Sequence, residues 1–176
     1  MKRGLALIMM FLDVVLSSAQ DREICEGFIW TGSELIWQRV YEYVPADSLS
    51  IRNWFHDAFG VTRDEPDVIS GQYVGVLPIE ACGIKRGSSP IFIGLYKKFN
   101  FRVEFRECRY RVTVLNMQYS DGLYDPTEGF GLNSDLSGFA IRRGSFTKHF
   151  LSKSGPLTDR QLDYSFHYKD VVDENW

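Results

Sequence analysis

The residue types that most often carry catalysis are few in this chain and form no recognised motif. Its 176 residues contain three histidines, none of which stands at metal-ligand spacing from a cysteine or a carboxylate. The Gly-x-Ser-x-Gly pattern of a nucleophile elbow is absent. A Cys–His pair stays open, because two such residues can meet only in the fold. We therefore predict no catalytic, cofactor-binding or metal-ligating residues; the histidines are His56, His149 and His167.

Clusters of like charge raise two further possibilities. Acidic residues in the segment 120–144 offer the oxygen ligands that calcium prefers, but their spacing fails the EF-hand pattern and turns favour Asp equally. A basic cluster on two predicted strands could attract an anionic partner. We favour a soluble face whose charges discourage strand-on-strand aggregation. The acidic residues are Asp121, Asp125, Glu128 and Asp135, and the basic cluster is Lys97, Lys98, Arg102, Arg106, Arg109 and Arg111.

Composition limits the class of protein. Apolar residues make up 44% of the chain and aromatic residues 15%, which excludes a disordered chain and supplies the core of one domain. The formal net charge is −3, whereas dedicated nucleic-acid binders carry a strong basic excess. We expect a single domain that does not bind nucleic acid.

Residues 1–19 have the layout of a secretory signal peptide. Two basic residues precede a mostly apolar segment, 4–16, and small residues precede a cleavage site after Ala19. The apolar run is shorter than the roughly 20 residues of a membrane span and is interrupted by Asp13. We expect cleavage near Ala19, a periplasmic or secreted mature domain over 20–176, and no stable membrane span.

Three cysteines remain in the mature chain. An odd number allows at most one internal disulfide, and their spacing matches no zinc pattern. We favour two buried cysteines that act as small hydrophobes and one incidental cysteine, and leave open whether any pair is bonded. They are Cys25, Cys82 and Cys108.

A helix is predicted over 49–59, because apolar residues recur there at helical spacing. Asp47, Ser48 or Ser50 is expected to cap its start, and Gly60 fits the left-handed position after its end. A second helix is expected from residue 157 with Leu162 and Phe166 on one face, although alternation there also allows a strand. The apolar stripe of the first helix is Ile51, Trp54, Phe55, Ala58 and Phe59.

The remaining elements are predicted as strands and loops. Strands are expected over 24–30, 35–44 and 68–80, where Gly71 and Gly75 indicate a bulge or an edge position. A polar loop is predicted over 62–67, a flexible connector over 83–90 and a long loop over 120–144.

The sharpest pattern is a hairpin on either side of Glu107 and Cys108. Apolar residues alternate with polar residues in both flanking strands, so we expect one face of the hairpin to be buried and the other exposed to solvent. A two-residue turn places Glu104 opposite Arg111, an opposite-charge cross-strand pair. It also pairs Phe105 with Tyr110, Val103 with Val112 and Phe101 with Val114.

Several of these features carry a family resemblance. They are the strand over 39–44, the helix entry over 45–48, the aromatic residues Trp54, Phe55 and Phe59, the strand opening at 68–71 with Gly75, and the two strands of the hairpin. In these features the stretch from Trp37 to Asp121 resembles the domain of unknown function 4468 family, exported bacterial domains common in Bacteroidetes. The resemblance implies a TBP-like fold, and no catalytic residues.

Taken together, the patterns predict an α+β domain, a curved antiparallel sheet with a helix packed on one face and the opposite face free. We expect an exported, non-enzymatic binding or structural module of the cell envelope with an unknown envelope protein as partner. The alternative is a carrier of a small apolar ligand or lipid, with the curved sheet and aromatic residues lining a cavity.

Overall fold

A computed structural model describes residues 23–85, 89–120, 124–125, 129–130 and 134–169. The predicted signal peptide over 1–19 and its cleavage site lie outside these residues. So do Asp121 and Glu128 of the acidic segment, and the centre of the predicted connector over 83–90.

An eight-stranded antiparallel sheet forms the centre of the described structure, with strand order β1-β2-β3-β7-β6-β5-β4 and β10 paired to β7. Two further two-stranded ladders join β8 to β9 and β11 to β12. The strands are β1 (Glu23–Cys25), β2 (Phe28–Trp30), β3 (Leu35–Glu42), β4 (Gly60–Glu65), β5 (Val68–Gly75), β6 (Tyr96–Arg106), β7 (Arg109–Ser120), β8 (Tyr124–Asp125), β9 (Gly129–Phe130), β10 (Ser134–Asp135), β11 (Ile141–Arg142) and β12 (Ser145–Phe146).

Three α-helices accompany the sheet: α1 (Ser48–Ala58), α2 (Leu136–Ala140) and α3 (Gly155–Phe166). Short 3-10 turns span Pro45–Asp47 and Ile91–Gly94, and a π-helical turn, Phe150–Ser154, leads into α3. The α+β class is therefore confirmed. The final helix is also confirmed, and it begins two residues before the predicted start.

Helices α1 and α3 pack on the same face of the sheet. Phe55 of α1 lies 6.4 Å from Phe101 and 5.9 Å from Tyr110 between ring centroids. Phe166 of α3 stacks on Phe59 at 4.7 Å and lies 6.0 Å from Phe101. These ring contacts remove apolar surface from water between the helices and the sheet. The predicted helix-on-sheet packing is confirmed, with two helices where one was expected.

The hairpin of β6 and β7 has the predicted register. Glu104 pairs with Arg111, Phe105 with Tyr110, and the turn is Glu107 and Cys108. Arg111 donates to the Glu104 carboxylate at 2.7 and 3.0 Å, so the opposite-charge pair is formed. Beyond this region β7 carries a bulge, at which Asn116 adopts φ +54°. The extra residue reverses the alternation, and Met117 and Tyr119 consequently point into the core.

The predicted helix over 49–59 is found one residue earlier at each end, but its predicted caps are wrong. No side chain caps its start, and the 3-10 turn over Pro45–Asp47 runs directly into it. Gly60 does not adopt the left-handed conformation but begins β4. A Cβ on Gly60 would lie 2.6 Å from the Gln72 carbonyl oxygen, so this glycine allows two backbones to approach closely.

Four other sequence predictions are corrected. The strand over 24–30 is two strands, because Glu26 adopts φ +54° and reverses the chain. The loop over 62–67 is mostly β4, with the turn confined to Pro66 and Asp67. The strand over 68–80 ends at Gly75 and lies between β4 and β6, so the bulge falls in the edge strand β4 instead. The segment 120–144 also contains helix α2, which Asp135 caps.

Candidate binding surface and buried polar centre

The outer face is the side of the sheet opposite α1 and α3. Its residues alternate with core residues along every long strand, so their positions follow from the register. The outer face comprises Ile24, Ile29, Ile36, Gln38, Val40, Glu42, Val68, Ser70, Gln72, Val74, Lys98, Asn100, Arg102, Glu104, Arg106, Arg109, Arg111, Thr113 and Leu115, with Arg63 and Glu65 on the edge strand.

An apolar row crosses one end of the outer face. Ile24 pairs with Ile29, and Ile29 pairs with Ile36 on the next strand. Ile24 is 64% exposed, and Val40, two residues along β3 from Ile36, is 53% exposed. A cluster of exposed aliphatic residues on a sheet face is a common feature of interaction surfaces.

Polar side chains on the outer face are held by cross-strand bonds. Gln38 donates to the Thr113 hydroxyl at 3.0 Å, and Gln72 donates to Asn100 at 3.1 Å. The two edges of the sheet are less suited to pairing with another strand, because β1 has three residues and β4 is bulged and charged. The face is therefore better suited to contact than the edges.

The basic cluster divides between the two faces. Lys98 and the four arginines lie on the outer face, but Lys97 is fully buried on the core side. Its predicted place on the wet face is wrong. Lys97, Phe99 and Phe101 are alternate residues of β6 and therefore point to the same face of the sheet. This alternation is the sequence signal that could have placed Lys97 in the core.

Lys97 lies in a polar centre inside the core. Its ammonium donates to the carbonyl oxygens of Ile93 at 2.9 Å, Leu95 at 3.3 Å and Phe92 at 3.4 Å. These are carbonyl groups of the 3-10 turn, so the side chain caps that turn. Burial lowers the pKa of Lys97 to about 7, which the nearby Cys82 opposes only in part.

Gln161 of α3 completes this centre. Its amide nitrogen donates to the carbonyl oxygens of Pro78 and Ile93 at 3.1 Å each, which ties the helix to two loops. The Cys82 thiol donates to the Pro78 and Ile79 carbonyls, and burial raises its pKa. Tyr119 lies opposite Lys97 on β7, and burial also raises the pKa of its phenol. The contacts of this centre hold loops to a helix.

A second buried polar group fastens α3 to the sheet. Asp159 accepts from the Trp37 indole at 2.8 Å, from the Gly27 amide at 3.1 Å, and from Arg39 at 2.8 and 2.9 Å. Arg39 also pairs with Asp163 at 3.0 Å. The Asp159 carboxylate thus links the β1–β2 turn and β3 to α3. No local sequence motif predicts this role.

The histidines and cysteines do not converge among the described residues. His56 lies on exposed α1 and pairs with Asp64 at 2.8 Å, and His167 packs on Tyr41 at 5.1 Å between ring centroids. All three cysteines are free thiols; Cys25 and Cys82 are buried and Cys108 is exposed. The prediction of two buried cysteines is confirmed, and that the third is incidental stays a prediction.

Two hollows lie beside the helices. The larger, about 700 Å³, opens between the start of α1 and the β6–β7 turn, where Cys108 lies. The smaller, about 370 Å³, lies between α1 and α3 and is lined by Trp54, Phe59, Tyr73 and Tyr164 among others. These four aromatic side chains line a groove on the helix side of the sheet. The outer-face residues given above include no aromatic side chain.

The described part of the chain contains neither a metal-binding cluster nor a membrane-spanning helix. No group of three or more His, Cys, Asp or Glu residues there is arranged to hold a metal ion. Asp135 of the acidic segment accepts from the Ser137 amide at 2.8 Å as a helix cap. None of the helices described is long and apolar enough to cross a membrane.

Two solved structures resemble this fold. One is a TBP-like protein from Parabacteroides distasonis, with TM-score 0.45 and 12% identity over 74% of this chain and 84% of that one. The other is a DUF4468 family protein from Bacteroides ovatus, with TM-score 0.41 and 10% identity over 85% of this chain and 92% of that one. The structure neighbours are therefore of the kind named from the sequence resemblance. At these identities they describe similar chain folding and carry nothing about function. No family model and no curated protein matches the chain.

Proposed function

We propose that this chain is an exported, non-enzymatic binding module of the cell envelope, and that a partner protein covers its outer face. The observation that carries the proposal is that the two long helices cover only one face of the sheet. Both long helices, α1 and α3, pack on one face, and the opposite face exposes Ile24 and Val40 to solvent. An exposed aliphatic surface next to charged residues is typical of a protein interface.

The internal polar groups support binding over catalysis. Asp159 and Gln161 are used to attach α3, and Lys97 is enclosed by the carbonyl groups that it caps. A nucleophile or general base must reach a substrate, whereas these side chains are buried beneath the sheet and its helices. Export is part of the proposal and rests on the layout of residues 1–19.

The experiment compares two variants expressed in the native host with residues 1–19 intact. Ile36→Asp with Val40→Asp places charge on the outer face, and Leu49→Asp, at a residue 68% exposed on α1, is the matched control. Size-exclusion chromatography of envelope extracts should show the wild type and the control in a larger assembly. The double variant should elute at the size of the free chain, with its circular dichroism unchanged.

Two results would contradict this function. The wild type could elute at its own size in every extract, or the control could dissociate as readily as the double variant. A purified chain that self-associates through Ile36 and Val40 would replace the partner protein with a second copy.

A carrier of a small apolar ligand is the second candidate, favoured by the groove of about 370 Å³ between α1 and α3. Its volume is within the range of small-molecule sites, and Trp54 and Tyr73 line it. Saturable binding of a fluorescent fatty acid that Tyr73→Asp removes would support this candidate. Binding without saturation would reject it.

A further inference from the structure

The inference concerns the chemistry of the partner and rests on the proposed binding function of the outer face. Arg106 and Arg109 are the last cross-strand pair of the β6–β7 hairpin, so two guanidinium groups occupy neighbouring positions. Arg111 follows two residues along β7 on the same face and pairs with Val40 of β3. These side chains and Glu104 surround a hollow of about 200 Å³, the arginine hollow.

The carboxylate within the arginine hollow is already engaged. Arg111 binds the Glu104 carboxylate at 2.7 Å, and Arg102 approaches its other oxygen at 3.4 Å. Within the described residues neither Arg106 nor Arg109 has an ion-pair partner. Like charges directly opposite each other across a ladder are destabilising. Arg109 also lies opposite Glu42 of β3, which offsets its charge in part. Arg106 faces only Arg109 in the ladder of β6 and β7, so an anionic group from a partner would relieve the repulsion within this pair.

The charge of the outer face contrasts with that of the molecule. Across strands β3 to β7 this face carries six basic and three acidic side chains, on a chain whose formal net charge is −3. Such a surface attracts an acidic partner.

We propose that the arginine hollow binds a carboxylate group presented by an acidic segment of a partner protein. A guanidinium presents parallel N–H donors that match the two oxygens of a carboxylate. Val40 at the side of the hollow and the neighbouring Ile36 offer apolar contact to the adjoining residues of such a segment. At about 200 Å³ the hollow is smaller than a typical small-molecule site, whereas a peptide segment contacts the apolar row as well.

The test measures fluorescence anisotropy of a labelled peptide of alternating glutamate and serine on the purified mature chain. The test variant is Arg106→Gln with Arg109→Gln. The matched control is Arg142→Gln with Arg143→Gln, two exposed arginines at the β11–β12 turn, which removes the same charge elsewhere. We expect saturable binding that weakens about tenfold in the test variant and less than about twofold in the control, the loss of about one strong ion pair.

Several outcomes would overturn the proposal. Equal weakening in both double variants would show attraction to net charge alone, and equal binding of a glutamine-for-glutamate peptide would exclude the carboxylate. Arginine-dependent binding to phosphatidylglycerol vesicles without peptide binding would replace the protein partner with a membrane surface. Arg106→Gln with Arg109→Gln could leave the envelope assembly intact while Ile36→Asp with Val40→Asp dissociates it. That result would support the proposed binding function and refute the carboxylate site.

Discussion

At the scale of single residues, the structure buries polar groups and uses them as internal attachments. Lys97 caps a 3-10 turn, and Asp159 gathers donors from the Trp37 indole, the Gly27 amide and Arg39. Removing one partner of such a group leaves a buried donor or acceptor unsatisfied, which costs more than the bond itself contributes. Both residues therefore predict measurable effects on stability.

The first prediction concerns the pH dependence that Lys97 imparts. Its pKa falls from 10.5 in the unfolded chain to about 7 in the folded one, so the unfolded chain binds more protons between these values. The free energy of unfolding should therefore rise with pH across this interval, by up to about 1.4 kcal/mol per pH unit from this group. Urea unfolding from pH 6 to pH 10 measures it.

Lys97→Met removes this contribution, and Lys98→Met, on the outer face, serves as the control. The pH profile of Lys97→Met should be flatter than that of the wild type, and the profile of Lys98→Met should match the wild type. Parallel profiles for all three proteins would show that the Lys97 ammonium is not desolvated.

The second prediction concerns Asp159. Asp159→Asn replaces one accepting oxygen with an amide that faces the Trp37 and Arg39 donors, so the free energy of unfolding should fall by about 2–4 kcal/mol. Asp57→Asn, at an exposed position on α1, should change it by less than about 0.5 kcal/mol. Chemical denaturation of both variants measures the difference, and equal effects would refute the attachment role.

At the scale of elements, the predictions from sequence hold where a periodic pattern is long and fail where geometry is non-local. The β6–β7 hairpin and helix α1 carry continuous alternation or a continuous apolar stripe, and both are found as expected. The edge strand β4 is polar along its length, so its pairing with β5 leaves no alternation to detect. The bulge at Asn116 changes which β7 residues face the core, and nothing local marks it.

The candidate surface was only partly predictable for the same reason. Side chains alternate between the two faces of a strand, so alternation alone assigns the arginines to the outer face and Lys97 to the core face. The hollow beside Val40 depends on β3 pairing with β7, a contact between distant segments that one sequence does not encode locally. Asp159 and Gln161 likewise act across the fold.

The third prediction belongs to the β4–β5 pair. A Cβ on Gly71 would overlap the Gly60 carbonyl group and approach the Phe101 ring at 2.9 Å. Gly71→Ala should therefore lower the free energy of unfolding by about 2 kcal/mol or more. Gly138→Ala is the contrast, because nothing lies within 4 Å of its Cβ and the substitution favours helix α2. Its expected effect is a gain of about 0.5–1 kcal/mol, and a loss of stability there would contradict the account.

The fourth prediction belongs to the hairpin end. Arg106→Glu replaces a like-charge pair with an opposite-charge pair at the position facing Arg109, so stability should rise by about 0.2–1 kcal/mol. The same substitution should weaken binding of the acidic peptide, because it places a carboxylate in the arginine hollow. Thermal denaturation and anisotropy measure the two effects. A variant that is both less stable and equally good at binding would contradict the role assigned to this pair.

At the scale of the whole molecule, the two faces of the sheet differ in what they contact. Its core side holds the helices through aromatic packing and buried polar groups, and its outer side exposes aliphatic and arginine side chains in fixed register. The short edge strand β1 and the bulged edge strand β4 limit strand pairing with other chains. The outer face is therefore the surface that we propose for recognition.

Site-specific photo-crosslinking in the native host tests this claim most directly. A photoreactive benzoylphenylalanine replaces Val40, beside the arginine hollow on the outer face, or, as the control, Asn53 on the exposed side of α1. We expect one discrete adduct from position 40, identified by mass spectrometry as a protein with an acidic segment, and none from position 53. Adducts from position 53 with none from position 40 would contradict it.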